Sequence, residues 1–92
     1  MMYELEFTHQ YLRDLQLARK RNLDESKLNE LIIILMSYNE VPAKYNDHPL
    51  RGYYKGYRDC HINNDWILIY KKDKTLEIIR LIRTGTHSDI FG

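Results

Sequence analysis

The run Trp66-Ile67-Leu68-Ile69-Tyr70-Lys71-Lys72, followed by Thr75 to Thr84 with Ile78, Ile79, Leu81 and Ile82, decides the fold. β-Branched and aromatic residues dominate both stretches, as a pleated, half-buried surface prefers, and Lys72-Asp73-Lys74 separates them closely enough for an antiparallel hairpin. A third run of the same kind, residues 53–62, is set off by the turn formers Asn63, Asn64 and Asp65, so the second half reads as a three-stranded meander. Toward the N-terminus, residues 37–52 lose all periodicity and are punctuated by Pro42, Pro49 and Gly52. A connection that long in a small chain tends to be functional. Before it, Leu28, Leu31, Ile32, Leu35 and Met36 recur at helical spacing behind Asp24 or Ser26 as a cap. Tyr11, Leu12, Leu15 and Ala18 mark an earlier helix that Thr8 caps and that ends near Asn22, after the basic Arg19, Lys20 and Arg21. The two helices should form a hairpin. Tyr3, Leu5 and Phe7 alternate with Glu4 and Glu6, which reads as an opening strand. Residues 85–92 are short enough for only a turn or tail. The expectation is an α+β fold in one domain over residues 1–92, with the N-terminal strand and two-helix hairpin packed on one face of an antiparallel sheet of about four strands.

Composition narrows the function classes. The chain has 92 residues with 43% hydrophobic content, enough for one modest core and too short for a multidomain enzyme. Cys60 is its one cysteine, which excludes an internally disulfide-stapled scaffold and fits a reducing cytoplasm. No secretory leader is expected, and the longest apolar run, residues 31–36, is far below the roughly 20 residues of a membrane span. Charge is divided along the chain: residues 1–43 carry five basic and seven acidic side chains, residues 44–83 nine basic and five acidic. A polyanion would dock on the second half.

The residues able to do chemistry also cluster there. His48 lies in the long connection, His61 near a strand end, His87 in the tail, and only His9 belongs to the helical half. On an extended strand Lys55, Tyr57, Asp59 and His61 share one face, while Arg58, Cys60 and Ile62 share the other. Asp65 and Trp66 follow at the turn, near enough to join His61. Three chemistries compete for His48, His61, Asp65 and His87. A metal centre would show short motifs such as HExxH or CxxC; none is present, and no cofactor is expected. Nucleophilic catalysis by Cys60 would need its histidine on the same face, whereas His61 points oppositely, so Cys60 reads as core. General acid–base cleavage of RNA needs only imidazoles and cations, because the 2′-hydroxyl of the substrate is the nucleophile. Tyr53, Tyr54, Tyr57, Trp66 and Tyr70, interleaved with Lys55, Arg58, Lys71 and Lys72, would suit stacked bases with phosphates held between. Alternate aromatics on strands are also the usual material of a core. Tyr3 and Tyr11 read as packing residues.

The segments Asp47-His48-Pro49-Leu50-Arg51-Gly52, Lys55-Gly56-Tyr57-Arg58-Asp59-Cys60-His61, Asp65 to Lys71 and Arg83-Thr84-Gly85-Thr86-His87 through Phe91 resemble the YafQ branch of the RelE-type toxins. The resemblance runs through essentially the whole chain and implies a RelE-like fold and a ribosome-dependent mRNA endoribonuclease. It implies neutralisation by a DinJ-like antitoxin in a heterotetrameric complex, with operator DNA bound only through that complex and no membrane partner. It places His48, His61, Asp65 and His87 at catalytic positions, and Asp59, Trp66, Arg83 and Phe91 at positions tied to activity or substrate contact. Lys55 and Arg58 join the RNA-binding set from the basic excess. Two departures stand out: Tyr54 replaces a frequent tryptophan, and Asn63-Asn64 replaces the usual glutamate-proline before Asp65. Two other readings remain: a catalytically weak toxin that mainly binds its antitoxin, and a non-catalytic RNA-binding module.

Overall fold

The computed structural model describes residues 2–92. Strand β1, Glu4–Phe7, leads into α1, His9–Lys20, and α2, Glu25–Met36. Both helices start where the sequence supplies a cap: the Thr8 hydroxyl accepts from the Tyr11 amide at 2.9 Å, and Asp24 accepts from Ser26 at 3.1 Å. Asn22, at φ 56°, turns the chain between them. Then come β2, His48–Pro49; β3, Arg58–Asn63; β4, Trp66–Asp73; β5, Ile78–Thr86; and α3, His87–Phe91. The sheet order is β1-β5-β4-β3-β2.

The α+β class, the helix pair and the three-stranded meander stand as read from the sequence, with corrections at the margins. Among the described residues there are five strands, because His48–Pro49 pairs with β3 inside the supposed loop, His48 opposite Asp59. The sheet is mixed: β1 runs parallel to β5, with Leu5 opposite Ile79. Parallel neighbours need a long crossover, and of these strands β1 alone is joined to its partner by most of the chain. Strand β3 begins at Arg58 instead of Tyr53, because residues 52–54 form a 3-10 turn and Gly56 adopts φ 96°, which breaks the ladder. Lys55 is therefore not on the strand. The Asp73 carboxylate captures the amides of Thr75 and Leu76 at 2.9 and 2.8 Å, which delays β5 to Ile78. The tail forms a helix, since Thr86 and Asp89 close a reciprocal capping box.

Helices α1 and α2 cover one face of the sheet. Tyr11, Ala18, Leu28, Leu31 and Leu35 pack with Cys60, Ile62, Trp66, Leu68, Tyr70, Ile79 and Leu81 in one core, with Tyr3 at its margin. Each fully buried leucine there contributes about 2 kcal/mol. Burial pushes the Cys60 thiol far above its ordinary pKa, which removes it as a nucleophile. Asp14 occupies the stripe defined by Tyr11 and Ala18 and is itself buried. On the opposite face, directly paired residues form two rows: Asp59, Ile69 and Arg83, then His61, Ile67 and Gly85. That face carries the site. No helix is long and apolar enough to cross a membrane among the described residues.

Candidate active site

Asp47 anchors the approach to the site. Its carboxylate accepts from Tyr70 Oη at 2.7 Å and from Arg58 Nε and Nη2 at 3.1 and 3.3 Å, with Cys60 Sγ at 3.6 Å. This fixes the segment that presents His48. Arg58, one of the expected RNA contacts, is thus engaged by Asp47, with its side chain 39% exposed. The His48 Nδ1 lies 2.6 Å from the Asn46 carbonyl oxygen and donates to it, so its Nε2 is the atom facing Asp59 Oδ2 at 3.6 Å.

Across the sheet, pairing of Trp66 with Thr86 sets Asp65 beside the start of α3. Asp65 Oδ1 lies 2.5 Å from His87 Nδ1 and accepts the His87 amide at 3.3 Å. Asp65, expected near enough to join His61, instead bonds and orients His87. The irregularity between His61 and Asn63 and the left-handed Asn64, at φ 46°, redirect the turn. The His87 hydrogen bonds hold the Asp65 carboxyl below its usual range. The His61 and His87 rings meet edge-on with centroids 5.4 Å apart.

Asp59 lies at the centre and is only 2% exposed; its Oδ1 has no hydrogen-bond partner among the described residues. Burial pushes its carboxyl above the ordinary range, opposed by the charges of His48, His61 and His87. A carboxyl whose folded pKa exceeds its unfolded value of about 3.9 contributes stability below that value and loses it as pH rises through the folded pKa. Asp59→Asn should therefore raise the melting temperature at pH 7, by about 1 kcal/mol in stability, and lose that advantage below pH about 4. Thermal scans across pH check it; an equal effect at both ends would contradict the assignment.

The remaining expected contacts divide. Arg83 Nε and Nη2 bond Asp14 at 2.7 and 3.2 Å, and its Nη1 lies 3.5 Å from Tyr54 Oη. The same Asp14 accepts the Thr84 amide at 3.1 Å and Gln10 Nε2 at 2.9 Å. Phe91 is half exposed, packed between the Tyr54 ring at 5.8 Å and His87 at 6.1 Å. Lys55 is exposed. Trp66 is corrected as a stacking platform: it is 4% exposed on the helix side and donates to Thr84 Oγ1 at 2.8 Å. The sequence reading missed Asp14 and Asn46. An acidic residue inside an apolar helical stripe was the available signal for Asp14; nothing comparable marked Asn46.

One ligand atom from each of Asp59, His61 and His87 lies within 4.8 Å of the others, a set able to hold a metal ion. Asp59 and His61 are two residues apart, but the third member, His87, lies 26 residues beyond His61, so local spacing alone could not complete the set.

Comparison with known proteins places this geometry among relatives. The family described as "Bacterial toxin of type II toxin-antitoxin system, YafQ" matches residues 3–92. The mRNA interferase toxin YafQ of Escherichia coli (strain K12) is 48% identical over 90 residues, covering 97% of this chain and 96% of that one. YafQ in the crystal structure of the E. coli DinJ-YafQ toxin-antitoxin complex superposes with a TM-score of 0.89 at 45% identity, covering 100% of both chains. A metal-bound toxin from Helicobacter pylori superposes with a TM-score of 0.90 at 32% identity, covering 98% of this chain and 100% of that one.

Proposed function

The chain belongs to the YafQ family of bacterial type II toxin-antitoxin toxins, and from that premise we propose an mRNA endoribonuclease that cleaves messages in the ribosomal A site by acid–base catalysis. The Asp65–His87 pair carries this reading. With Nδ1 directed at Asp65, His87 keeps Nε2 for proton exchange. One imidazole, His48 or His61, takes the proton of the 2′-hydroxyl, and the 2′-oxygen attacks phosphorus. A cyclic 2′,3′-phosphate forms as the bond to the 5′-oxygen breaks, and His87 returns a proton to that oxygen. Arg83, clamped by Asp14, holds the phosphate charge. Asp59 couples the three imidazoles from within. A DinJ-like antitoxin neutralises the enzyme, as the full-length similarity to YafQ from the E. coli complex supports, in a heterotetramer that also contacts operator DNA.

Cleavage of a short RNA should persist in chelator and leave a 5′-hydroxyl and a cyclic or 3′-phosphate. Added zinc should inhibit, since a metal on Asp59, His61 and His87 would occupy the lone pairs that move protons. End-group analysis by mass spectrometry reads both. Activity lost in chelator and restored by zinc would overturn the mechanism.

Binding to RNA should fall steeply with salt, and Lys55→Ala should reduce the magnitude of the log–log slope by about 1 with uniformly weaker affinity. A slope indifferent to Lys55 would place the RNA elsewhere. Arg58→Ala should instead act on stability through Asp47.

A further inference from the structure

A cleft joined to His87 through the Phe91 ring is lined by Tyr53, Tyr54, Tyr57, Gln10, Ile82 and Arg83. We propose that it is a second nucleotide subsite, binding a base and phosphate that flank the cleaved bond; this rests on the endoribonuclease reading.

The cleft is built by the turn that ended the expected strand early. Gly52 and Gly56, at φ 64° and 96°, bracket it, a backbone course that side-chain-bearing residues rarely adopt. The turn sets the Tyr53 and Tyr54 rings edge-to-face at 4.9 Å and 90°, with Tyr57 6.2 Å from Tyr54. Tyr53 is 91% exposed, so its ring leaves an uncovered π-face that water solvates poorly and any base can stack on. Arg83 supplies the polar element. With Nε and Nη2 committed to Asp14, the Nη1 edge at Tyr54 Oη is the one turned toward the tyrosines. Lys71 Nζ, 5.8 Å from the Tyr57 ring centroid, adds a cation at that flank.

Among the described residues no carboxylate lines the cleft itself, Asp14 lying behind Gln10 and Arg83, so its wall presents aromatic rings and donors to an anionic strand. The aromatic series Tyr54, Phe91, His87 runs without a break from the cleft to the proposed acid, at 5.8 and 6.1 Å between successive rings. A chain held at the imidazoles therefore has a continuous apolar path to Tyr53. Because Asp14 offsets part of the Arg83 charge, stacking on the tyrosines selects the base, and the outward edge of the guanidinium is left for the phosphate.

The test uses the full chain and an RNA with 2′-O-methyl groups at every position, which cannot be cleaved, measured by fluorescence anisotropy beside cleavage of the unmodified strand. Tyr53→Ala should weaken binding of the blocked strand about tenfold and raise KM similarly with kcat within about twofold. Tyr53→Trp should restore both, and melting temperatures should stay unchanged because Tyr53 is exposed. Unaltered affinity for the blocked strand in Tyr53→Ala overturns the subsite, as does a variant that loses only antitoxin binding, which would assign the tyrosines to the protein partner. Tyr53-dependent binding of the blocked strand without cleavage of the unmodified one upholds the subsite and fails the endoribonuclease reading instead.

Discussion

Replacing His87 by glutamine should lower the single-turnover cleavage rate by about 10²- to 10⁴-fold while RNA affinity stays near normal. Glutamine keeps a donor that can reach Asp65 and preserves the head of α3, so the lost function is proton transfer to the leaving 5′-oxygen. The wild-type rate should trace a bell against pH, because one group must be deprotonated and another protonated in the same complex. The variant should lose the limb that belongs to the acid. Rapid-quench cleavage across pH measures both. Full activity in His87→Gln would leave α3 as a clasp and move the acid role to His61.

Asp14→Ala should have the largest effect on stability. Four donors converge on that carboxylate: Arg83 twice, the Thr84 amide and Gln10. The ion pair with Arg83 is well buried, the Asp14 side chain at 8% exposure and that of Arg83 at 19%. Breaking such a pair from one side strands the partner charge, at a cost of about 3 kcal/mol. For a domain of this size that lowers the melting temperature by about 15 °C. Cleavage should also slow, since Arg83 loses the clamp that aims its free edge. Asp14→Asn keeps an acceptor without the charge and should fall between. Calorimetry with single-turnover kinetics separates the two effects; an unchanged melting temperature would contradict the assignment.

The helices and the meander were legible because caps, apolar spacing and turn formers act within a few residues of one another. Thr8 caps as read, Asp24 is the one of the two offered caps that serves α2, and Leu28, Leu31 and Leu35 are buried as their spacing requires. The parallel seat of β1 on β5 and the short β2 depend on contacts between distant segments, which leave no local period. Trp66 shows where residue type and spacing do not decide. Aromatics at alternate strand positions fit a core and a stacking surface equally, and the family resemblance suggested substrate contact, whereas Trp66 lies in the core. His48, His61 and His87 do gather around one rim, but which carboxylate serves which imidazole was set by the irregularity after His61 and the turn at Asn64. That geometry had no signature beyond turn propensity.

The five-residue α3 carries both His87 and Phe91, yet a helix that short does not persist alone in water. Its order comes from the capping box and from Arg21, whose Nη1 lies 2.6 Å from Asp89. Asp89 does three tasks: it closes the cap, pairs with Arg21 and fills the space beside Gly85, where a Cβ would meet it at 3.1 Å. Its carboxyl is drawn down to about 2, chiefly by Arg21, so this fastening lasts through neutral pH and is lost as pH falls through that value. With His87 in its proposed role, turnover would be an intrinsic rate multiplied by the fraction of molecules whose last turn is wound. Residues at the far end of α1 can thus tune activity through that fraction without touching a reacting atom.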